Sequence, residues 1–237
     1  MYISGYPEIK GATMLEKRQY VNDNFDHYRQ FLMYEPRGGH ADMYGAIITE
    51  PCSTDAMFGI LFMHNEGYSS MCGHAIIASV SMLIETGTLA MSEPGMSIKI
   101  DSPAGLISAY ACYDEQQKLK VIFDNVPAFI EALAQTITVP GIGKVNYDIA
   151  FGGAYYAFVD ADELGISCKR DNTAQLIDYG RKIKLATIGR DTLNHHNSIN
   201  HPEASDLSFL YGVISILAIP SPLPLIQSMC ASLPMAS

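Results

Sequence analysis

Basic charge is scarce in this chain: 15 Lys and Arg stand against 25 Asp and Glu, for a formal net charge of −10. A protein that grips nucleic acid needs clustered cations, and the few present here are scattered, so that class of partner is not expected. The five cysteines, Cys52, Cys72, Cys112, Cys168 and Cys230, are odd in number, widely spaced and include no CxxC pair. That usage argues against a disulfide framework or a structural zinc site and fits a reducing compartment, the cytoplasm. No apolar run approaches the ~20 residues of a membrane span. The nearest, Val213 to Ile219, runs into Pro220, Pro222 and Pro224. Met1 to Glu8 carry neither the basic nor the apolar segment of a secretory signal.

What is present is apolar and patterned. A hydrophobic fraction of 48% with 17% charged residues reads as a compact globule, long enough for one large domain or two modest ones. Residues 13 to 33 interleave charge with Met14, Leu15, Tyr20, Val21, Phe25, Tyr28, Phe31 and Leu32, the spacing of an amphipathic helix. Strands are expected at 44–49 and 56–63, at 97–100, 104–113 and 119–124, and at 133–139, 145–151 and 154–159. A helix from Cys72 to about Glu85 stops near Gly87, and another begins at Asp171 to Thr173 and runs to about Ile188. Helix, hairpins and helix thus recur, as in two similar halves joined near residues 115 to 125.

The segment His64-Asn65-Glu66-Gly67-Tyr68-Ser69-Ser70-Met71-Cys72-Gly73-His74 carries the most chemistry. It follows the apolar run Leu61 to Met63 and precedes helical spacing at Ala75, Ile76, Val80 and Met82, so Cys72 sits where a helix starts. Free amides and the positive end of the helix dipole favour an anion there, and the thiol of Cys72 is expected to titrate below its ordinary range, as a base or nucleophile. The plain alternative is a buried cysteine acting as a small hydrophobe. Gly73, which permits close approach of the backbone, and His74, which can orient a ligand, favour function.

This segment resembles the first catalytic motif of the proline racemase superfamily, and its Asn-Glu-Gly-Tyr-Ser-Ser lead most resembles the trans-3-hydroxy-L-proline dehydratase branch. Tyr34 to Ala46, Asn125 to Phe129, Asp148 to Phe158, Ile199 to Glu203 and Asp206 to Gly212 extend the resemblance over roughly residues 5 to 212. It implies an α/β (α+β) fold of two pseudo-symmetric domains, each a curved sheet around a central helix as in diaminopimelate epimerases. The first domain, 1–117, carries Cys72; a partial second spans 118–212, and 213–237 forms a divergent tail. The resemblance also implies a site between the domains, where helix N-termini hold a substrate carboxylate without cofactor or metal. The implied partner is a small proline-type imino acid, and a homodimer is allowed. Cys72 is then the base that removes the Cα proton, while Gly73 and His74 hold the substrate.

A 3-hydroxyl on that substrate would leave as water; without it, a second acid must return the proton, giving racemisation or epimerisation. The motif that decides, Asp-Arg-Ser-Pro followed by Cys-Gly or Thr-Gly, is absent, and no glycine follows Gly212. The family's opening motif, Asp-Met-His-Thr-Gly-Gly-Glu-Pro, is absent too. The expectation is a truncated member with an incomplete second domain that lacks its own central helix and exposes a sheet edge, and a catalytically inactive chain stays open beside the lyase and isomerase readings. Cys230 has neighbours unlike the second motif. His195, His196 and His201 lack metal-ligand spacing and read as a solvated loop. Gly141, Gly143, Gly152 and Gly153 read as hairpin turns, and of Tyr155 and Tyr156 one is expected to face inward. Glu35, Arg37, His40 and Asp42 form a polar cluster that either supports the catalytic loop or makes surface ion pairs.

Overall fold

The computed structural model describes residues 5–34, 36, 39–40, 42–91, 95–193, 210–217 and 229–232, with the side chains of 190–193 and 229–232 excepted. The chain divides into two compact units, one ending at Val126 and the next starting at Pro127. The division falls beyond residue 117 because the strand Leu119–Asp124 pairs with the strand before it and so belongs to the first sheet.

In the first unit α1 (Met14–Met33) is followed by β1 (Tyr44–Thr49), β2 (Phe58–His64), β3 (Gly67–Ser69), α2 (Gly73–Glu85), β4 (Met96–Ser102), β5 (Gly105–Tyr113) and β6 (Leu119–Asp124). The sheet order is β1-β2-β4-β5-β6, with β3 paired to β2. Only β2 and β4 run parallel, and α2 is the crossover that such a pair requires. Strands from both ends of this order, β1 and β6, touch α2, so the sheet bends around that helix.

Every residue of β2 is buried, as in a strand covered on both faces. Leu61 and Met63 join Met14, Val21 and Met33 of α1 in one core cluster, while Phe58, Ile60 and Phe62 alternate to the opposite face. Between β1 and β2 the turn at Pro51 to Asp55 is pinned by the buried carboxylate of Asp101, which accepts from the amides of Cys52 and Ser53 and from the Ser53 hydroxyl.

α1 begins as a capping arrangement. Thr13 Oγ1 accepts from the Glu16 amide at 3.1 Å, and Glu16 Oε2 reaches back to the Ala12 amide at 2.7 Å. Its buried stripe is not the apolar one expected. Lys17, Arg18 and Arg29 lie buried with Met14, Val21 and Met33, while Tyr28 and Phe31 are exposed. These cations are tolerated inside because their heads end on carbonyl oxygens; Lys17 Nζ donates to Glu50 O at 2.5 Å.

The second unit holds β7 (Phe129–Val139), β8 (Gly143–Phe151), β9 (Tyr155–Asp160), α3 (Thr173–Leu193), β10 (Leu210–Ile216) and β11 (Met229–Ser232). Its sheet order is β11-β10-β9-β8-β7, again with one parallel pair, β9 and β10, on either side of a helix. α3 packs against β10 and β7. Val213 to Ile216, assigned from sequence to a divergent tail, are thus strand residues of this sheet.

Gly141 and Gly143 turn β7 into β8, and Gly152 with Gly153 turn β8 into β9. Tyr155 faces inward between Phe129 and Phe151, while Tyr156 lies against Tyr211. β7 is an edge strand that leaves Phe129, Ile130 and Leu133 exposed, and its register shifts near Ala134, where Asp148 accepts the backbone amide. No helix among the described residues is long and apolar enough to cross a membrane.

Candidate active site

The site residues read from the sequence lie where β3 ends and α2 begins. Cys72 is the N-cap of α2, extended at φ −148° and ψ 107°, and its carbonyl accepts the first helical bond from Ile76. Its side chain makes no cap hydrogen bond. The early amides of α2 therefore keep their capacity to bind something else. Cys72 is buried, Gly73 is half-buried and His74 is exposed.

The thiol does not titrate as the helix position alone implied. Burial pushes Cys72 up from its ordinary range, and the opposing pull of the Ala75 and His74 amides does not cancel it. Desolvation penalises the thiolate more than the dipole and amides repay it in the unliganded protein. The result is a neutral thiol whose conjugate base is a strong one, suited to a weakly acidic C–H bond once the proton leaves.

Gly73 is required by a contact invisible in the motif. A Cβ there would lie 2.8 Å from Phe123 Cζ, so the Phe123 ring from β6 packs directly on the helix start. Sequence reading placed Phe123 in a strand without linking it to the site; the distance in sequence from Gly73 hides the pairing.

The lead into Cys72 is held from α1. Arg18 donates through Nε and Nη2 to Tyr68 O at 2.9 and 2.7 Å. Arg29 donates through Nη1 to His64 O at 3.0 Å and also to Asn65 O, while Nε and Nη2 grip both oxygens of Asp26 at 2.6 and 2.9 Å. Its guanidinium also lies 5.6 Å from the Tyr34 ring centre and 5.8 Å from that of Tyr68. Hydrogen bonds from charged donors contribute about 1.5–3 kcal/mol each when removed, so this contact set strongly restrains the hairpin.

Asn65 Nδ2 donates to His40 O at 2.7 Å, which ties the loop around His40 to the same hairpin. Asp42 makes its backbone bond to His40 Nδ1, and Glu35 and Arg37 lie outside the described residues, as do His195, His196 and His201. The buried hydroxyls of Tyr68 and Ser69 have no hydrogen-bond partner among the described residues. No group of three His, Cys, Asp or Glu able to hold a metal occurs among those residues either. Cys230 falls on β11, where side chains are not described.

The sequence pattern of the proline racemase family matches residues 1–222, across both units. This chain belongs to the proline racemase family. Within it, a trans-3-hydroxy-L-proline dehydratase of Colwellia psychrerythraea is 48% identical over 213 residues, covering 90% of this chain and 58% of that protein. The human trans-3-hydroxy-L-proline dehydratase is 43% identical over 216 residues, covering 90% of this chain and 59% of that protein. The chain thus spans about three fifths of the length of these curated relatives. A solved probable proline racemase from Agrobacterium radiobacter superposes with a TM-score of 0.82 at 25% identity, covering 98% of this chain and 66% of that one. The mixed α/β architecture of sheet and helix in each unit is therefore the family's fold.

Proposed function

We propose that this proline racemase family member carries the proton-abstracting half of a trans-3-hydroxy-L-proline dehydratase. The observation that carries the proposal is a buried thiol at an uncapped helix start, in a chain whose relatives at 48% and 43% identity bear that name. The substrate carboxylate binds the amides at the start of α2, those of Gly73 and His74, by the attraction of a helix N-terminus for anions. Cys72, as thiolate, takes the Cα proton. The electron pair left at Cα forms a double bond to the neighbouring ring carbon as the 3-hydroxyl departs and becomes water. The departing hydroxide takes up a proton from solvent, and the thiolate is restored when the Cys72 proton passes to solvent. No cofactor enters this sequence; delocalisation into the carboxylate, held by helix amides, lowers the barrier.

A second reading, racemisation or epimerisation of proline or hydroxyproline, is favoured by the family match itself and by the solved probable proline racemase. It needs a second acid on the opposite face of the ring. The two readings separate in one experiment. Trans-3-hydroxy-L-proline is incubated with the chain in deuterated water and followed by NMR: dehydration gives an unsaturated ring with loss of the 3-hydroxyl, whereas isomerisation exchanges the α-proton and inverts the centre. Cys72→Ser is expected to lower either rate by at least about 100-fold, the scale for losing a general base. A Cys72→Ser chain with unchanged turnover sinks the assignment of the base. If the chain as it stands turns nothing over, pyrrole-2-carboxylate, a planar mimic of the deprotonated substrate, separates a bound but inactive fold from no site: ligand that binds the folded site raises the unfolding temperature.

A further inference from the structure

We propose that Arg18 and Arg29 are positioning residues for Cys72, acting through the carbonyl groups of the β2–β3 hairpin. The inference rests on the reading of Cys72 as the base and adds what holds it in place. Both arginines are buried on α1, far from Cys72 in sequence. Between them they take the carbonyls of His64, Asn65 and Tyr68, so one face of the hairpin is fixed at its start and at its end.

Tyr68 lies in β3, close before the thiol. Only Ser69, Ser70 and Met71 separate it from Cys72, and the Tyr68 side chain is itself buried with its ring against Arg29. A guanidinium suits this task where an ammonium does not. Its planar fork lets Arg18 place two N–H groups on one oxygen, and lets Arg29 hold a carboxylate with one edge and two carbonyls with the other. Asp26, fixed by that fork and by Gln30 Nε2 at 2.7 Å, keeps the Arg29 plane aligned. Its carboxyl is held below the usual range, chiefly by the Arg29 hydrogen bond. The hairpin thus delivers a thiol at a defined depth over α2 because the backbone before it cannot slide.

The test reads the thiol, not turnover. The full chain and its Arg18→Lys, Arg18→Ala, Arg29→Lys and Asp26→Asn variants are alkylated with iodoacetamide from about pH 7 to about pH 10, across ordinary thiol titration. Peptide mass spectrometry follows Cys72 beside the exposed Cys52 as an internal standard.

Loosening the hairpin is expected to raise the Cys72 rate relative to Cys52 by about fivefold or more, as local opening admits reagent and water. The midpoint of the Cys72 profile should move down, toward an ordinary thiol. Arg18→Lys, which retains one donor, should fall between the parent and Arg18→Ala. Variants that lose stability while the relative rate and midpoint of Cys72 stay as in the parent overturn the proposal. Asp26→Asn keeps both arginines and frees only the fork, so it decides the matter if an arginine variant fails to fold. A Cys72→Ser chain that kept its turnover would refute the base and leave this measurement of the hairpin standing.

Discussion

α2 meets its sheet through Ala75, Ile76, Val80 and Leu83, whereas α1 meets the same sheet through a stripe in which Lys17, Arg18 and Arg29 sit among Met14, Val21 and Met33. Their starts differ as well. α1 is closed by Thr13, which accepts from the Glu16 amide, and by Glu16, which reaches back to the Ala12 amide, while α2 opens with Cys72, whose side chain makes no cap hydrogen bond. One helix is built to hold, the other to present. The buried cations of α1 are directed at backbone carbonyls rather than at solvent, so this helix contributes specificity of position in addition to apolar contact.

The largest effect is expected where the comparison rests on apolar packing. Ile76→Ala, at a fully buried position of α2, should cost about 2–5 kcal/mol through lost contacts and a residual cavity, read as a lower urea midpoint. A loss below about 1 kcal/mol would mean the core around α2 collapses readily and that its packing is not the anchor described. Thr13→Ala should cost about 1 kcal/mol by freeing the Glu16 amide at the start of α1, also read by urea unfolding. An unchanged midpoint would remove the contrast between the two helix starts.

The smallest effect is expected at Cys72 and has the opposite sign. Cys72→Ser supplies the cap that α2 lacks and should stabilise the fold by about 0.5–1 kcal/mol near neutral pH, while lowering the proposed activity. The pH dependence sharpens this. Because burial raises the folded-state titration of Cys72, its contribution to stability is complete below the unfolded thiol value of about 8.5 and declines as pH rises through the folded value.

The buried phenols extend the decline. Tyr6, pushed up to about 12 by burial, and Tyr68, pushed higher still, contribute fully below about 10 and lose that contribution above it. Cys72→Ser should abolish the first fall and leave the second. Parallel stability curves for parent and variant between about pH 8 and pH 10 would show that the thiol is not held neutral by the fold.

Much of this was legible in the chain. The apolar periodicities gave α2 and most strands within a few residues, because burial on one face imposes a period on the sequence that no neighbour needs to supply. Phe129 to Gln135 was harder: β7 carries exposed Phe129, Ile130 and Leu133 and shifts register at Ala134, so its alternation is broken by a bulge. β3 is too short to announce itself, three residues against a fully buried partner. α1 was recognised as a helix, but its buried face was not, since charge is the ordinary mark of the solvated side and only carbonyl partners distant in sequence reverse that.

The sequence by itself determined the family, the position of Cys72 before a helix, and the residue types able to bind an anion beside it, because motif order and hydrophobic period are local properties. Tertiary structure alone decided the state of that thiol and the means of holding it. Burial, which depends on what the sheet and Phe123 bring against α2, raises the titration that the helix position would lower. The arginines that fix the hairpin reach it from α1 across 35 to 50 residues of chain, a distance no pattern in the motif records.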